Sequence, residues 1–211
     1  MKTQDLIVLL ASDPLPSRPG AGQLACAATV ALALSLAMVM GGWGLHADLP
    51  TLFASASYQV KSLWLFGLAL SSSMLLWRLA RPARRDRFGM LGIGVLLLAM
   101  AGLGAYTLWH ADPADRLALL MGQTWWSCPL SIAAIALPLL AAGLLYLRQM
   151  APTRLALSGA SAGFLSGALA TALYSLHCTE TMYTFFSVWY AAGMGLSAAV
   201  GALLGRGLLR W

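Results

Sequence analysis

Six apolar runs, near residues 24–46, 59–79, 88–109, 128–147, 155–176 and 183–205, take up most of this 211-residue chain. Each approaches or exceeds the ~20 residues that cross a hydrocarbon core about 30 Å thick. Lipid offers backbone amides no partners, so each run is predicted to form a helix. Composition points the same way, with 60% of residues hydrophobic and 9% charged, where a soluble domain carries about a quarter charged residues. The expected fold is an all-α membrane protein, a bundle of six transmembrane helices over residues 24–211, preceded by a polar segment and linker over residues 1–23.

Sidedness comes from arginine. Arg78, Arg81, Arg84, Arg85 and Arg87, with Asp86, separate the second run from the third. A short loop so rich in arginine stays in the cytoplasm. With that loop inside, eleven of the thirteen Lys and Arg residues fall on the inner side, and only Lys61 and Arg116 fall outside. Both termini are then expected in the cytoplasm. The formal charge of +6 is a topology signal and not a nucleic-acid footprint.

The first residues resemble a secretory signal only superficially. The apolar core Leu6-Ile7-Val8-Leu9-Leu10-Ala11 is flanked by Asp5 and Asp13. It is shorter than the roughly 7–15 residues of a signal core, no small-x-small site follows, and the segment is read as retained. Thr3 can cap a short helix with Asp5 in its first turn. Leu6, Leu9 and Leu10 then share one apolar face, and Pro14, Pro16 and Pro19 end the helix.

Within the spans, Gly159, Gly163 and Gly167 recur every fourth residue, as do Gly201 and Gly205. Such stripes let neighbouring backbones approach, and packing within the bundle is the expected use. No ionisable residue is read as deep in a span. Lys61 is placed near an outer edge, from which it can snorkel to water. Buried ionisable groups mark proton relays and ion pathways, so this reading weighs against a proton-coupled transporter. There is no phosphate-binding glycine loop, HExxH or CxxC, and no enzymatic activity or obligatory cofactor is expected. Trp43, Trp109, Trp125 and Trp126 fit an outer aromatic belt.

Of the three cysteines, Cys26 lies in the first span and reads as a packing residue. Cys128 opens the fourth span in Trp126-Ser127-Cys128-Pro129. Proline suits a first helical turn, and a thiol at a helix N-terminus is a more reactive one. Cys178 follows the fifth span in Leu176-His177-Cys178-Thr179-Glu180. Both fall at the outer membrane edge on non-consecutive loops. Three uses of the pair stay open: a structural disulfide, which is the plainest; a switchable dithiol; and a site for a soft metal ion, with His177, Glu180 and His110 as auxiliary ligands.

The opening Met1-Lys2-Thr3-Gln4-Asp5-Leu6-Ile7, a proline-containing linker, six spans, Trp126-Ser127-Cys128-Pro129 and Leu176-His177-Cys178-Thr179-Glu180 together resemble the NrsF-type anti-sigma factors of proteobacteria. The resemblance covers essentially the whole chain and implies a multi-pass protein of the bacterial inner membrane. It implies that an extracytoplasmic-function sigma factor is held inactive on the cytoplasmic side, with lipid as the other partner and no direct nucleic-acid contact. It also implies that Cys128 and Cys178 face the periplasm and free the sigma factor under heavy-metal or oxidative stress, with a soft metal ion as signal only. The family's N-terminal segment matches residues 1–13. There Leu6, Leu9 and Leu10 would anchor a docking helix in a partner groove, and Asp5 and Asp13 would meet basic residues of the partner; the alternative is a helix lying on the membrane surface, for which acidic flanks are poorly suited. A membrane thiol-disulfide oxidoreductase and a small transporter or channel are the rival readings. The sequence does not indicate an oligomeric state.

Overall fold

The computed structural model describes residues 4, 20–45, 48–81, 87–178 and 180–210. The expected docking residues Asp5, Leu6, Leu9, Leu10 and Asp13, the loop arginines Arg84 and Arg85, and His46 lie outside the described residues.

The expected all-α bundle is present. Six helices are long and apolar enough to span a membrane: α1 (Ala21–Trp43), α3 (Ala56–Leu79), α4 (Arg87–His110), α6 (Ser127–Met150), α7 (Leu155–Tyr174) and α8 (Tyr183–Leu208). Their ends fall within three residues of the apolar runs. Two short helices, α2 (Leu49–Ala54) and α5 (Arg116–Met121), interrupt segments read as plain loops. Asp48 caps α2 by accepting from the Thr51 amide and hydroxyl, and Pro50 fills its first turn.

α7 is the most enclosed span and packs against α8, α6 and α3, while α1 leans on α6 and α4 on α3 and the start of α8. The glycine stripes explain the tightest of these contacts. A Cβ added at Gly159 would overlap the Gly201 carbonyl oxygen, and one at Gly163 would overlap the Ser197 carbonyl oxygen. The α7–α8 seam is therefore backbone against backbone, and the stripe is used inside the bundle. Outward faces are strongly apolar, with Leu63, Phe66, Leu98 and Trp109 largely exposed. On helices of this length, lipid is the solvent that such faces require.

Two irregularities shape the ends. α1 closes in a π-helical turn, Val39–Trp43, and α8 begins with another, Phe186–Tyr190. Such turns are uncommon and gather at functional places. Pro138 lies inside α6 and removes one amide from its ladder. The neighbouring Ile135 carbonyl accepts a 2.8 Å hydrogen bond from Ser35 of α1.

The alternation of spans separates two ends. One carries Arg78, Arg81, Arg87, Arg148, Arg154 and Arg206, all at or near helix termini. There Arg81 stacks on Trp77, 3.9 Å from the ring centroid. The opposite end holds the first turn of α6 and the last turn of α7, and with them Cys128 and Cys178.

Candidate functional site

Cys128 and Cys178 are 50 positions apart in the chain and meet in one buried cluster. Cys128 sits in the first turn of α6, where Pro129 occupies the helical start that its fixed φ favours. Cys178 follows the end of α7, its amide donating to the Tyr174 carbonyl at 3.1 Å. Their exposures are 0% and 2%, and both share a core with Tyr174, Phe185, Phe186 and Tyr190. The sulfurs are free thiols in this structure.

The surrounding walls are aromatic and come from four spans. Tyr174 meets Trp43 edge-on, with centroids 6.5 Å apart, and Tyr190 at 6.5 Å. Phe186 and Tyr190, four residues apart on the π-helical turn of α8, lie 5.1 Å apart. Among the described residues the fully buried Tyr190 hydroxyl finds no hydrogen-bond partner, and the Cys178 sulfur lies beside it.

Lys61 departs most from the sequence reading. It does not snorkel but is 1% exposed, inside the same end of the bundle. Its Nζ lies 4.8 Å from the centroid of Tyr58, 4.7 Å from Phe186 and 5.8 Å from Tyr190. Each cation–π contact contributes about 0.5–2 kcal/mol, and removing an ammonium from water costs several kcal/mol. The reading failed because hydropathy averages a window and cannot see neighbours. The register carried a signal: Tyr58, Lys61, Leu65 and Leu68 recur at helical spacing on the buried face of α3.

A cover closes this end. The Trp189 indole N–H donates to Leu120 O at 2.8 Å, and Thr184 donates to Leu119 O at 2.7 Å, so α8 holds α5 down. Glu180 Oε1 accepts from the Gln123 amide at 2.8 Å, across a turn where Gly122 has φ +54°. A Cβ at Gly122 would come within 2.7 Å of both Glu180 Oε1 and the Phe185 ring. Gly122→Ala therefore meets both strain at positive φ, about 1–3 kcal/mol, and a collision with the Glu180 latch. It is expected to loosen α5 and speed labelling of Cys128 and Cys178 by a small neutral thiosulfonate by about tenfold.

The auxiliary metal ligands read from the sequence are not gathered. His177 Nδ1 faces Gly44 O at 3.2 Å, the contact of a donating ring N–H, and its ring meets Tyr174 at 5.8 Å. Glu180 serves the turn. His110 is exposed at the end of α4, against Tyr106 O at 3.0 Å. Among the described residues, no group of three or more His, Cys, Asp and Glu side chains is placed to hold a metal ion. The sequence reading set these residues together by loop order, and the structure commits each to a local partner instead. Cys26 is exposed on α1, away from the pair.

Comparison with known proteins gives a single answer. The family model described as "Negative regulator of sigma F" (NrsF) matches residues 10–211. A protein of Azospira oryzae named "Probable anti-sigma-F factor NrsF" is 38% identical over 219 aligned positions, covering the whole of both chains. One of Caulobacter vibrioides named "Anti-sigma-F factor NrsF" is 36% identical over 218 positions, again end to end. No solved structure matches the chain. This chain belongs to the NrsF family of negative regulators of sigma F, a regulatory and non-enzymatic family.

Proposed function

We propose that this chain is an inner-membrane anti-sigma factor. It holds an extracytoplasmic-function sigma factor on its cytoplasmic side through residues 1–13 and releases it when Cys128 and Cys178 are joined on the other side. The observation that carries the reading is the meeting of two sequence-distant thiols in one buried cluster, at the end opposite the arginines. A short helix with Leu6, Leu9 and Leu10 on one face has apolar surface to bury, and a partner groove is one place that can take it.

Joining the sulfurs ties the first turn of α6 to the segment that ends α7. α7 is locked to α8 along the glycine seam, so a shift at one end is carried through rigid backbone contacts to the other. A tenfold loss of affinity for the sigma factor requires only about 1.4 kcal/mol of coupling. A thiophilic metal ion bridging the two sulfurs would act on the same two segments. The oxidoreductase reading lacks a CxxC arrangement among its thiols, and the transporter reading has one buried ionisable group in a span, Lys61, in its favour; the family to which the chain belongs favours neither.

The test places the partner. Leu6→Asp, Leu9→Asp in the full-length chain is expected to leave the protein in the membrane while the sigma factor moves to the soluble fraction. Retention of the sigma factor at the membrane by that variant would refute residues 1–13 as the holding element.

A further inference from the structure

The proposed function gives no task to Lys61, the buried cation beside the thiols. Three rings box its ammonium, yet rings carry no net charge, and a buried charge calls for an opposite one. The thiols of Cys178 and Cys128 share one buried cluster with Phe186 and Tyr190, whose rings flank Lys61 Nζ at 4.7 and 5.8 Å, and among the described residues they are the groups able to become anions that bear on it. Glu180, the nearby carboxylate, is engaged by the Gln123 amide. Tyr190 links the two halves of the arrangement, with its ring beside Lys61 Nζ and its hydroxyl beside the Cys178 sulfur. Packing alone does not call for a lysine here, since a methionine would fill the same apolar space.

The geometry points to Lys61 as a positioning residue for the thiol pair, its boxed ammonium serving as counter-charge to the sulfur anion through which the pair reacts. This assignment rests on the reading of Cys128 and Cys178 as a reactive pair. With a peroxide as oxidant, one thiol gives up its proton and its sulfur attacks a peroxide oxygen. The O–O bond breaks, a sulfenic acid forms, and the departing hydroxide takes the proton to become water. The second thiol attacks that sulfur, the S–S bond forms and a second water leaves. Two thiols and one hydrogen peroxide thus give one disulfide and two waters, with two electrons passing from sulfur to oxygen. In each attack the negative charge sits on sulfur, where the ammonium faces it. The aromatic box matters because it prevents the lysine from withdrawing to water, as one at a span edge otherwise does.

The test uses full-length protein in lipid nanodiscs, with Cys26→Ser so that two thiols remain. Reduced protein is treated with hydrogen peroxide, quenched in acid, denatured and scored for free thiols by gel shift with a polymer-linked maleimide. At pH 7, K61M and K61Q are expected to form the disulfide about tenfold more slowly than the parent, while K61R stays within about threefold. The deficit is expected to shrink as the pH rises toward 10, where a lysine ammonium gives up its proton and the parent loses the charge that the variants lack. The other titratable groups facing the pair (Tyr58, Tyr174, His177, Glu180 and Tyr190) are the same in every variant. Either neutral variant suffices if one fails to enter the membrane. A rate equal to the parent's at pH 7, or a deficit of the same size at every pH, would overturn the assignment and leave Lys61 a packing residue. Failure of the sensor reading shows elsewhere, in sigma-factor release by a chain lacking both cysteines, and leaves these rates unaffected.

Discussion

Cys128→Ser, Cys178→Ser is expected to keep the sigma factor at the membrane and to abolish its release by peroxide or a thiophilic metal. Serine is close in size to cysteine, and both positions are fully enclosed, so the change is conservative in volume. The added hydroxyls cost little if they bond locally. Cys178 follows the last turn of α7, and backbone carbonyls at a helix end can accept such a hydroxyl. What is removed is the bond between the start of α6 and the end of α7. Without it, the affinity of residues 1–13 for their partner should not change with oxidant, where the parent loses about tenfold or more, an effect of about 1.4 kcal/mol. The readout is the fraction of sigma factor that co-purifies with the membrane protein before and after oxidant. Release from the double variant at the parent's dose would remove the cysteines from the mechanism. Single variants separate two cases: a disulfide needs both sulfurs, so each alone should be as unresponsive as the pair.

Gly163→Leu is expected to be among the most damaging single changes to the fold in the spans. A Cβ at this position already overlaps the Ser197 carbonyl oxygen and lies 2.9 Å from Ala198 Cα. The obstacle is backbone, which cannot rotate away as a side chain can. α7 and α8 must therefore separate, and the dispersion contacts along Gly159, Gly167, Gly201 and Gly205 weaken together. Overpacking a core costs typically 1–3 kcal/mol, and this site should exceed about 3 kcal/mol. Thermal or detergent unfolding of the purified protein measures the loss. Gly195→Leu on the same helix is the control, because nothing lies within 4 Å of a Cβ there, and it should unfold like the parent.

Much of this molecule could be read before its structure. Spans and their ends were legible because lipid imposes a length and forbids unpaired backbone. The glycine stripes were legible because helical spacing places every fourth residue on one face. The pairing of Cys128 with Cys178 at one end followed from counting spans. What sequence could not supply was whatever depends on elements distant in the chain. Lys61 looked like an edge residue because nothing in its own helix shows that Phe186 and Tyr190 close over it. The metal shell of His177, Glu180 and His110 looked plausible by loop order, yet Gly44 O and the Gln123 amide claim the first two. The cover formed by α5 was missed because Arg116–Met121 is too short for periodicity to declare it. Its signal was the glycine that follows, at a position whose positive φ demands one.

The burial of both thiols also changes how the sidedness of the chain is best measured, since a bulky reagent would fail to reach them on either side. Exposed loops do better. Asp112 lies in the turn after α4 at the thiol end, and Thr153 in the turn between α6 and α7 at the arginine end. Each can be changed to cysteine in a chain whose three native cysteines are serine. In intact spheroplasts, a membrane-impermeant maleimide is expected to label Asp112→Cys at once and Thr153→Cys only after lysis. Labelling of Thr153→Cys with protection of Asp112→Cys would place the thiol end in the cytoplasm and contradict a signal received outside and answered within.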